Sequence, residues 1–288
     1  AYAYGSPDWG VKLELLQKKS KDLQQQLNDL TKEQFELRSK CHKWAIKDIA
    51  SHFIATDGFF LNSIQRSLSG DFLPVEGQPN PGSANAQSMA DGIASRAIQI
   101  SETTLPNITE LLQVFCEMEQ SLLKVLLNIK DDQWELPAYH PIAKFSPVLF
   151  LEMKLIELSI HSWDINSILD PTYETSIEES VIINSIWEKP EINNWLFTPH
   201  EIEGSVIVCD IKLSNPLRII AWRNQIEISE IPETSDLIPT ATINVRDQDF
   251  PLLISARDNL EIAISENRAS ISGDKTVPRL FHQWFKGT

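Results

Sequence analysis

Two widely separated stretches carry side chains suited to holding a metal ion. In 149–165, Phe150, Met153, Glu157, Ile160, His161 and Asp164 recur at steps of three or four, so on a helix they share one face. Glu157 and His161 fall one turn apart beside apolar neighbours. A carboxylate and an imidazole on such a stripe must be paired, hydrogen-bonded or metal-bound, because burying them bare costs several kcal/mol. This i, i+4 spacing is how a helix offers two ligands to one ion. In the second stretch, 44–60, a stripe of Ala45, Ile49, His52, Phe53, Thr56 and Phe60 includes another histidine. Two histidines and one glutamate from facing helices match the three-ligand pattern of catalytic zinc sites, which keep one position open. The same set with open positions also suits iron or nickel. Asp164, one turn beyond His161, is placed to orient its ring. A lone core histidine is more often a satisfied hydrogen-bonding residue than a ligand, so spacing alone leaves both readings open.

The pattern around these residues predicts the elements that position them. Leu13, Leu15, Leu16, Leu23, Leu27 and Leu30 give 11–30 a period near 3.6. Further helices are predicted over 45–68, closed by Gly70, over 89–100, over 105–127 and over 148–169. A loop rich in Pro and Gly covers 70–87 and is long enough to act as a lid. Four long helices with one excursion describe an up-down four-helix bundle, assigned to 1–172. From 173 to 288 the texture changes. After a helix over 176–188, strand-like segments are predicted at 205–212, 217–222, 225–229, 241–245, 262–265 and 269–272, with helices at 250–256 and 277–285. That order implies a smaller α+β domain with one antiparallel sheet, and an α+β fold class for the two-domain chain.

Composition narrows the function. Of 288 residues, 42% are hydrophobic and 23% charged, as in ordinary globular proteins. A formal net charge of −15 with no basic cluster excludes a phosphate-binding surface, so no nucleic-acid partner is expected. Cys41, Cys116 and Cys209 lie far apart with no CxxC, which predicts buried reduced thiols rather than disulfides or a thiolate zinc site. Cys41 is followed by His42, but adjacency along a chain does not make ring and sulfur face each other. No signal-like or membrane-spanning run is visible, so a cytoplasmic location with no membrane partner is expected. His140, His200 and His282 fall in loop or terminal contexts and read as surface residues. Asp57 reads as a solvated helix charge that reaches the pocket rim, and Trp163 as bundle packing.

At the candidate ligands the sequence resembles a known family. Trp44, Asp48, Ile49, His52 and Phe53 look like a segment of the DinB-like metal-binding bundle. Glu157, His161, Asp164 and Ile165 are similar to the corresponding segment of its mycothiol-dependent maleylpyruvate isomerase branch. In that branch the matching His, Glu and His bind zinc, and a smaller domain related to sterol carrier protein type two follows the bundle. Residues 239–245 and 269–274 look like strand patterns of that second domain. The resemblance implies a low-molecular-weight thiol as cofactor in isomerisation or co-substrate in S-transfer: mycothiol, bacillithiol or glutathione. Zinc lowers the pKa of a bound thiol and presents a thiolate to an electrophilic carbon. It also implies a basic group from the second domain, for which Arg218 is the first choice as a carboxylate clamp and Arg223 the second. Either arginine reads equally well as a solvated sheet-edge charge.

Three functions follow as expectations. The first is a zinc-dependent, thiol-using isomerase or transferase acting on a small electrophilic substrate in a cleft between the domains. The second is a metal-braced carrier of an apolar ligand or pathway intermediate. The third is a thiol-independent, metal-assisted biosynthetic enzyme. Oligomeric state is not legible in the sequence.

Overall fold

The computed structural model describes residues 8–198 and 202–287. His200 lies outside the described residues. The chain divides into two compact units between Tyr173 and Glu174, with Asn85–Gln87 grouped with the second.

The first unit is helical. It contains α1 (Asp8–Asp29), α2 (Lys32–Phe35), α3 (Ile46–Leu68), α4 (Ala86–Gln99), a π-helical turn Ile100–Thr104, α5 (Ile108–Leu127) and α6 (Pro147–Leu169). The long helices close a ring in which α3 packs on α5 and α6, and α1 packs on α6 and α5. This is the expected bundle. Along α1 the buried positions are Lys12, Leu16, Lys19, Ser20, Leu23 and Leu27, a single stripe with polar residues inside it. Helix α3 starts where the Asp48 carboxylate accepts the Ala45 N–H at 2.9 Å, which satisfies one of the otherwise unpaired N-terminal donors. Pro147 opens α6, where its missing N–H costs nothing. Helix α6 is buried along most of its length, from Leu149 through Ile160, on every side. Its polar residues are therefore interior residues whichever way they point, and each needs a partner. Among the described residues no helix is long and apolar enough to cross a membrane.

The segment between α3 and α4 is tied down at several points. Tyr139 donates to the Pro79 carbonyl at 2.7 Å. The Pro141 carbonyl accepts from Gly82 at 3.0 Å and Ala84 at 3.3 Å. Arg66 reaches the Leu73 carbonyl at 2.6 Å.

His140, expected at the surface, is instead buried. It stacks on Phe145 with ring centroids 4.2 Å apart and is flanked by Phe59 and Phe150. Its Nδ1 accepts the Ile142 N–H at 3.1 Å. Burial pushes its pKa down to about 3 from 6.5. Between those values the unfolded chain takes up a proton that the folded chain refuses, so stability falls as pH drops below 6.5. This residue is expected to cost about 1.4 kcal/mol per pH unit in that window. Urea unfolding of the wild type and His140→Phe between pH 6.5 and 4.5 checks this: the variant's stability falls less steeply with acid.

The second unit carries α7 (Ile177–Asn184), α8 (Pro190–Leu196), β1 (Ile202–Lys212), β2 (Leu217–Arg223), β3 (Gln225–Glu230), β4 (Ala241–Val245), α9 (Phe250–Ile254), α10 (Leu260–Ser265), β5 (Ala269–Gly273) and α11 (Val277–Trp284). The five-stranded sheet has the order β3-β2-β1-β4-β5. The expected α+β class holds, with two corrections. The sheet is not wholly antiparallel, because β1 and β4 run parallel, with Cys209 opposite Ala241 and Ile211 opposite Ile243. Residues 262–265, expected as a strand, belong to α10. Asn259 caps that helix by accepting the Ile262 N–H at 3.0 Å, which overrides the β-branched content. The helix α8, started by Pro190, was not anticipated. Gly273 ends β5 at φ +89°, where a Cβ would lie 2.4 Å from the Thr240 carbonyl oxygen, so only glycine fits.

Candidate metal centre

Helix α3 supplies His52, and α6 supplies Glu157, His161 and Asp164. His52 Nε2 lies 2.7 Å from Glu157 Oε2, and His161 Nε2 lies 3.3 Å from the same oxygen. One donor atom from each of the three residues falls within 4.8 Å of the other two. The two imidazoles meet edge to face, with centroids 4.9 Å apart. Both histidines are buried and Glu157 is slightly more open. Trp44 covers them, with its ring 4.7 Å from His52 and 5.5 Å from His161. Phe53 stands edge-on to His161 at 5.7 Å.

Charge in this space is tightly coupled. Burial alone would raise the Glu157 carboxyl, but hydrogen bonds from His161 and His52 outweigh it and hold the group well below the usual carboxylate range. Burial pushes His52 down, against the pull of Glu157. Burial would lower His161 as well, yet its hydrogen bonds to Asp164 and Glu157 raise it. An ionised carboxylate with a neutral imidazole is the state in which a ligand set binds a cation.

Asp164 Oδ2 lies 2.9 Å from His161 Nδ1. With Nε2 given to an ion, the ring would donate Nδ1–H to the aspartate. Asp164 is itself fully buried, and its carbonyl accepts the Lys40 N–H at 3.1 Å. These residues fit a divalent ion of the zinc, iron or nickel type: nitrogen and oxygen donors converge, and a carboxylate holds one ligand's tautomer. Asp164→Asn is expected to weaken metal affinity about 10- to 100-fold while keeping the helical circular-dichroism spectrum. Competition against a chromogenic chelator measures it.

Beside the histidines lies a second polar group that the sequence reading missed. Lys154 Nζ pairs with Asp57 at 2.6 Å and contacts Glu119, which in turn accepts from the Ser20 hydroxyl. The ammonium also stands 4.1 Å above the Phe53 ring, a cation–π contact. Asp57, expected on the rim, is fully buried. Burial and the neighbouring Glu119 charge push its carboxyl well above the usual range. Burial alone would raise Glu119, but Lys154 holds it below that range.

Arg218, expected as a substrate clamp, belongs to the second unit. It lies in β2 and is buried, with Nε 2.7 Å from Asp210 Oδ1 and an Nη 3.0 Å from Oδ2. A further Nη donates to Ser235, and one reaches the Leu237 carbonyl at 3.3 Å. Its fork already holds a carboxylate, and an incoming one would have to displace Asp210. Arg223 is exposed at the β2–β3 turn with φ 53°. His282 is half-buried, and its Nε2 accepts the Leu260 N–H at 2.8 Å.

Comparison with known proteins gives these distances a context. The crystal structure of the mycothiol-dependent maleylpyruvate isomerase superposes with a TM-score of 0.57 at 13% identity, covering 88% of this chain and 90% of that one. A histidine-to-alanine mutant of the mycothiol-dependent maleylpyruvate isomerase gives 0.58 at 12% identity, with 93% of each chain covered. At such identities the likeness is one of fold. No curated protein matches the sequence. The model of the mycothiol maleylpyruvate isomerase N-terminal domain matches residues 16–166, a span that contains His52, Glu157, His161 and Asp164. With more than half of its length matched, the chain belongs to the mycothiol maleylpyruvate isomerase N-terminal domain family.

Proposed function

We propose that the protein is a metal-dependent isomerase that works with a low-molecular-weight thiol on a small unsaturated acid, with His52, Glu157 and His161 holding the ion. The observation that carries this reading is the convergence of three donor atoms, from two distant stretches, within 4.8 Å in a buried space. Family membership supports the reaction class, since the similar solved enzyme is a mycothiol-dependent maleylpyruvate isomerase. Zinc is the ion the donor types favour.

When bound, the ion supplies Lewis acidity that lowers the pKa of a thiol at an open position and so provides a nucleophile near neutral pH. The chain's own residues prepare that position. Glu157 stays ionised and offers oxygen. His52, kept neutral by burial, offers an imidazole nitrogen. Asp164, 2.9 Å from His161 Nδ1, would hold the ring in the tautomer that leaves Nε2 to the ion. Trp44 and Phe53 wall the imidazoles and limit water, which strengthens every charge interaction inside. Cis–trans isomerisation then needs only addition of the thiolate to the double bond, with the electron pair held as an enolate on the adjacent carbonyl, rotation about the resulting single bond, and collapse of the enolate to expel the thiolate.

The test is turnover of maleylpyruvate by zinc-loaded and chelator-stripped protein, with mycothiol, bacillithiol or glutathione added in turn. Isomerisation that requires both the metal and one of these thiols is expected. Activity indifferent to thiol, or to chelation, overturns the reading.

A further inference from the structure

The turn that leads into α3 brings a donor of a different kind to the other side of His161. Cys41 is buried, at 6% exposure, whereas His42 beside it is exposed. The Cys41 Sγ, a His161 ring nitrogen and an Asp164 carboxylate oxygen all lie within 4.8 Å of one another, in fully interior positions. The backbone here is well held. The Ser39 hydroxyl oxygen accepts the Cys41 N–H at 3.2 Å and its O–H donates to the Trp44 carbonyl at 2.8 Å. The Cys41 carbonyl accepts the Trp44 N–H at 2.9 Å. The sulfur is therefore presented by a fixed loop.

The ring nitrogen facing Asp164 is Nδ1, at 2.9 Å, while Nε2 faces Glu157 at 3.3 Å. His161 thus turns Nδ1 to the carboxylate of this set and Nε2 to the carboxylate of the first. We propose that Cys41, His161 and Asp164 form a second, inhibitory site for a soft, thiophilic cation such as Cd²⁺, Hg²⁺ or Cu⁺, which competes with the first triad for His161. A thiolate shifts the preference toward soft ions relative to a carboxylate and two imidazoles. As the cation binds, the Cys41 S–H proton leaves to solvent and an Sγ–cation bond forms. The His161 proton moves from Nδ1 to Nε2, and the Nδ1 lone pair and the Asp164 carboxylate turn to the cation. Nε2–H then donates to Glu157. A neutral imidazole has one lone-pair nitrogen, so the ring serves one set or the other. The exclusion rests on the proposed first triad, but the binding of the soft ion does not.

The experiment titrates Cd²⁺ into chelator-stripped, full-length protein and follows the ultraviolet thiolate-to-cadmium charge-transfer absorption. The wild type is expected to show the band at one equivalent, Cys41→Ser to lack it, and Cys116→Ser and Cys209→Ser to keep it. His52→Ala, which damages only the first triad, also keeps the band. Prior loading with zinc raises the cadmium midpoint by about tenfold or more, and His52→Ala removes that shift. A band that survives in Cys41→Ser overturns the site. A band lost in His52→Ala makes His52 part of the cadmium-binding set and overturns the separate site too. Cadmium midpoints unchanged by zinc overturn the competition. These arms read absorption, so they stand or fall apart from whether any thiol supports turnover.

Discussion

His52→Ala is expected to abolish thiol-dependent isomerisation, with a loss exceeding about 100-fold, while the chain remains helical. The magnitude follows from position. Changes to residues that merely orient a ligand cost about 10- to 100-fold, and His52 Nε2 is itself 2.7 Å from Glu157 at the point where the donors converge. The fold is expected to survive because α3 is anchored along its length by Ile49, Phe53, Phe60 and Ile64, all buried and none dependent on the imidazole. Thermal unfolding supplies a second readout. An ion that binds only the folded chain stabilises it by about 2.7 kcal/mol at one hundred times its dissociation constant. Zinc therefore raises the melting temperature of the wild type, whereas His52→Ala melts at the same temperature with and without it. A variant that keeps full turnover, or a zinc-dependent melting shift equal to the wild type's, contradicts the assignment of His52.

Lys154→Met is expected to destabilise the protein by about 3–5 kcal/mol, the usual cost of removing one partner from a buried ion pair. At roughly 2–4 °C per kcal/mol for a domain of this size, that lowers the melting temperature by about 10 °C. The effect is large because the cluster is sealed: the Lys154, Asp57 and Glu119 side chains are 2%, 0% and 1% exposed. Without the ammonium, Glu119 keeps a negative charge beside the Asp57 carboxyl in a dry interior, and Phe53 loses its cation. Lys154→Met combined with Glu119→Gln removes both charges and is expected to recover much of the loss, because a matched neutral replacement is often tolerated where a broken pair is not. Chemical denaturation of the single and double variants makes the comparison. Equal stability of wild type and Lys154→Met would show the cluster to be solvated rather than sealed.

The contrast between His52 and Lys154 explains what the sequence could disclose. His52, Glu157 and His161 lie on helical stripes whose apolar neighbours mark the inward face, so their inward placement was legible from spacing and type, whereas their meeting was implied by the family resemblance. Four long helices were legible from the same kind of spacing. Lys154 lies on α6 too, but a lysine in an apolar run reads as an interruption or a solvated edge. Its burial depends on Asp57 and Glu119 from other helices, which no local pattern reveals. Because α6 is enclosed on every side, its stripe carries less directional information than a surface helix would. His140 was hidden by similar physics: a loop histidine usually faces water, and here Phe145, Phe59 and Phe150 close over it. In the second unit, β-branched content at Ile262 and Ile264 suggested a strand, whereas the Asn259 cap decided for a helix. Strand direction is set by long-range pairing, so the parallel β1–β4 neighbours carry no local mark.

The most direct measurement is an anomalous-difference map from a crystal of the zinc-loaded protein, with data collected on both sides of the metal's absorption edge. The account predicts one strong peak about 2.0–2.2 Å from His52 Nε2, His161 Nε2 and a Glu157 oxygen, with Asp164 still against His161 Nδ1. A peak held by other residues, or none at this position in protein shown to contain zinc, would contradict it.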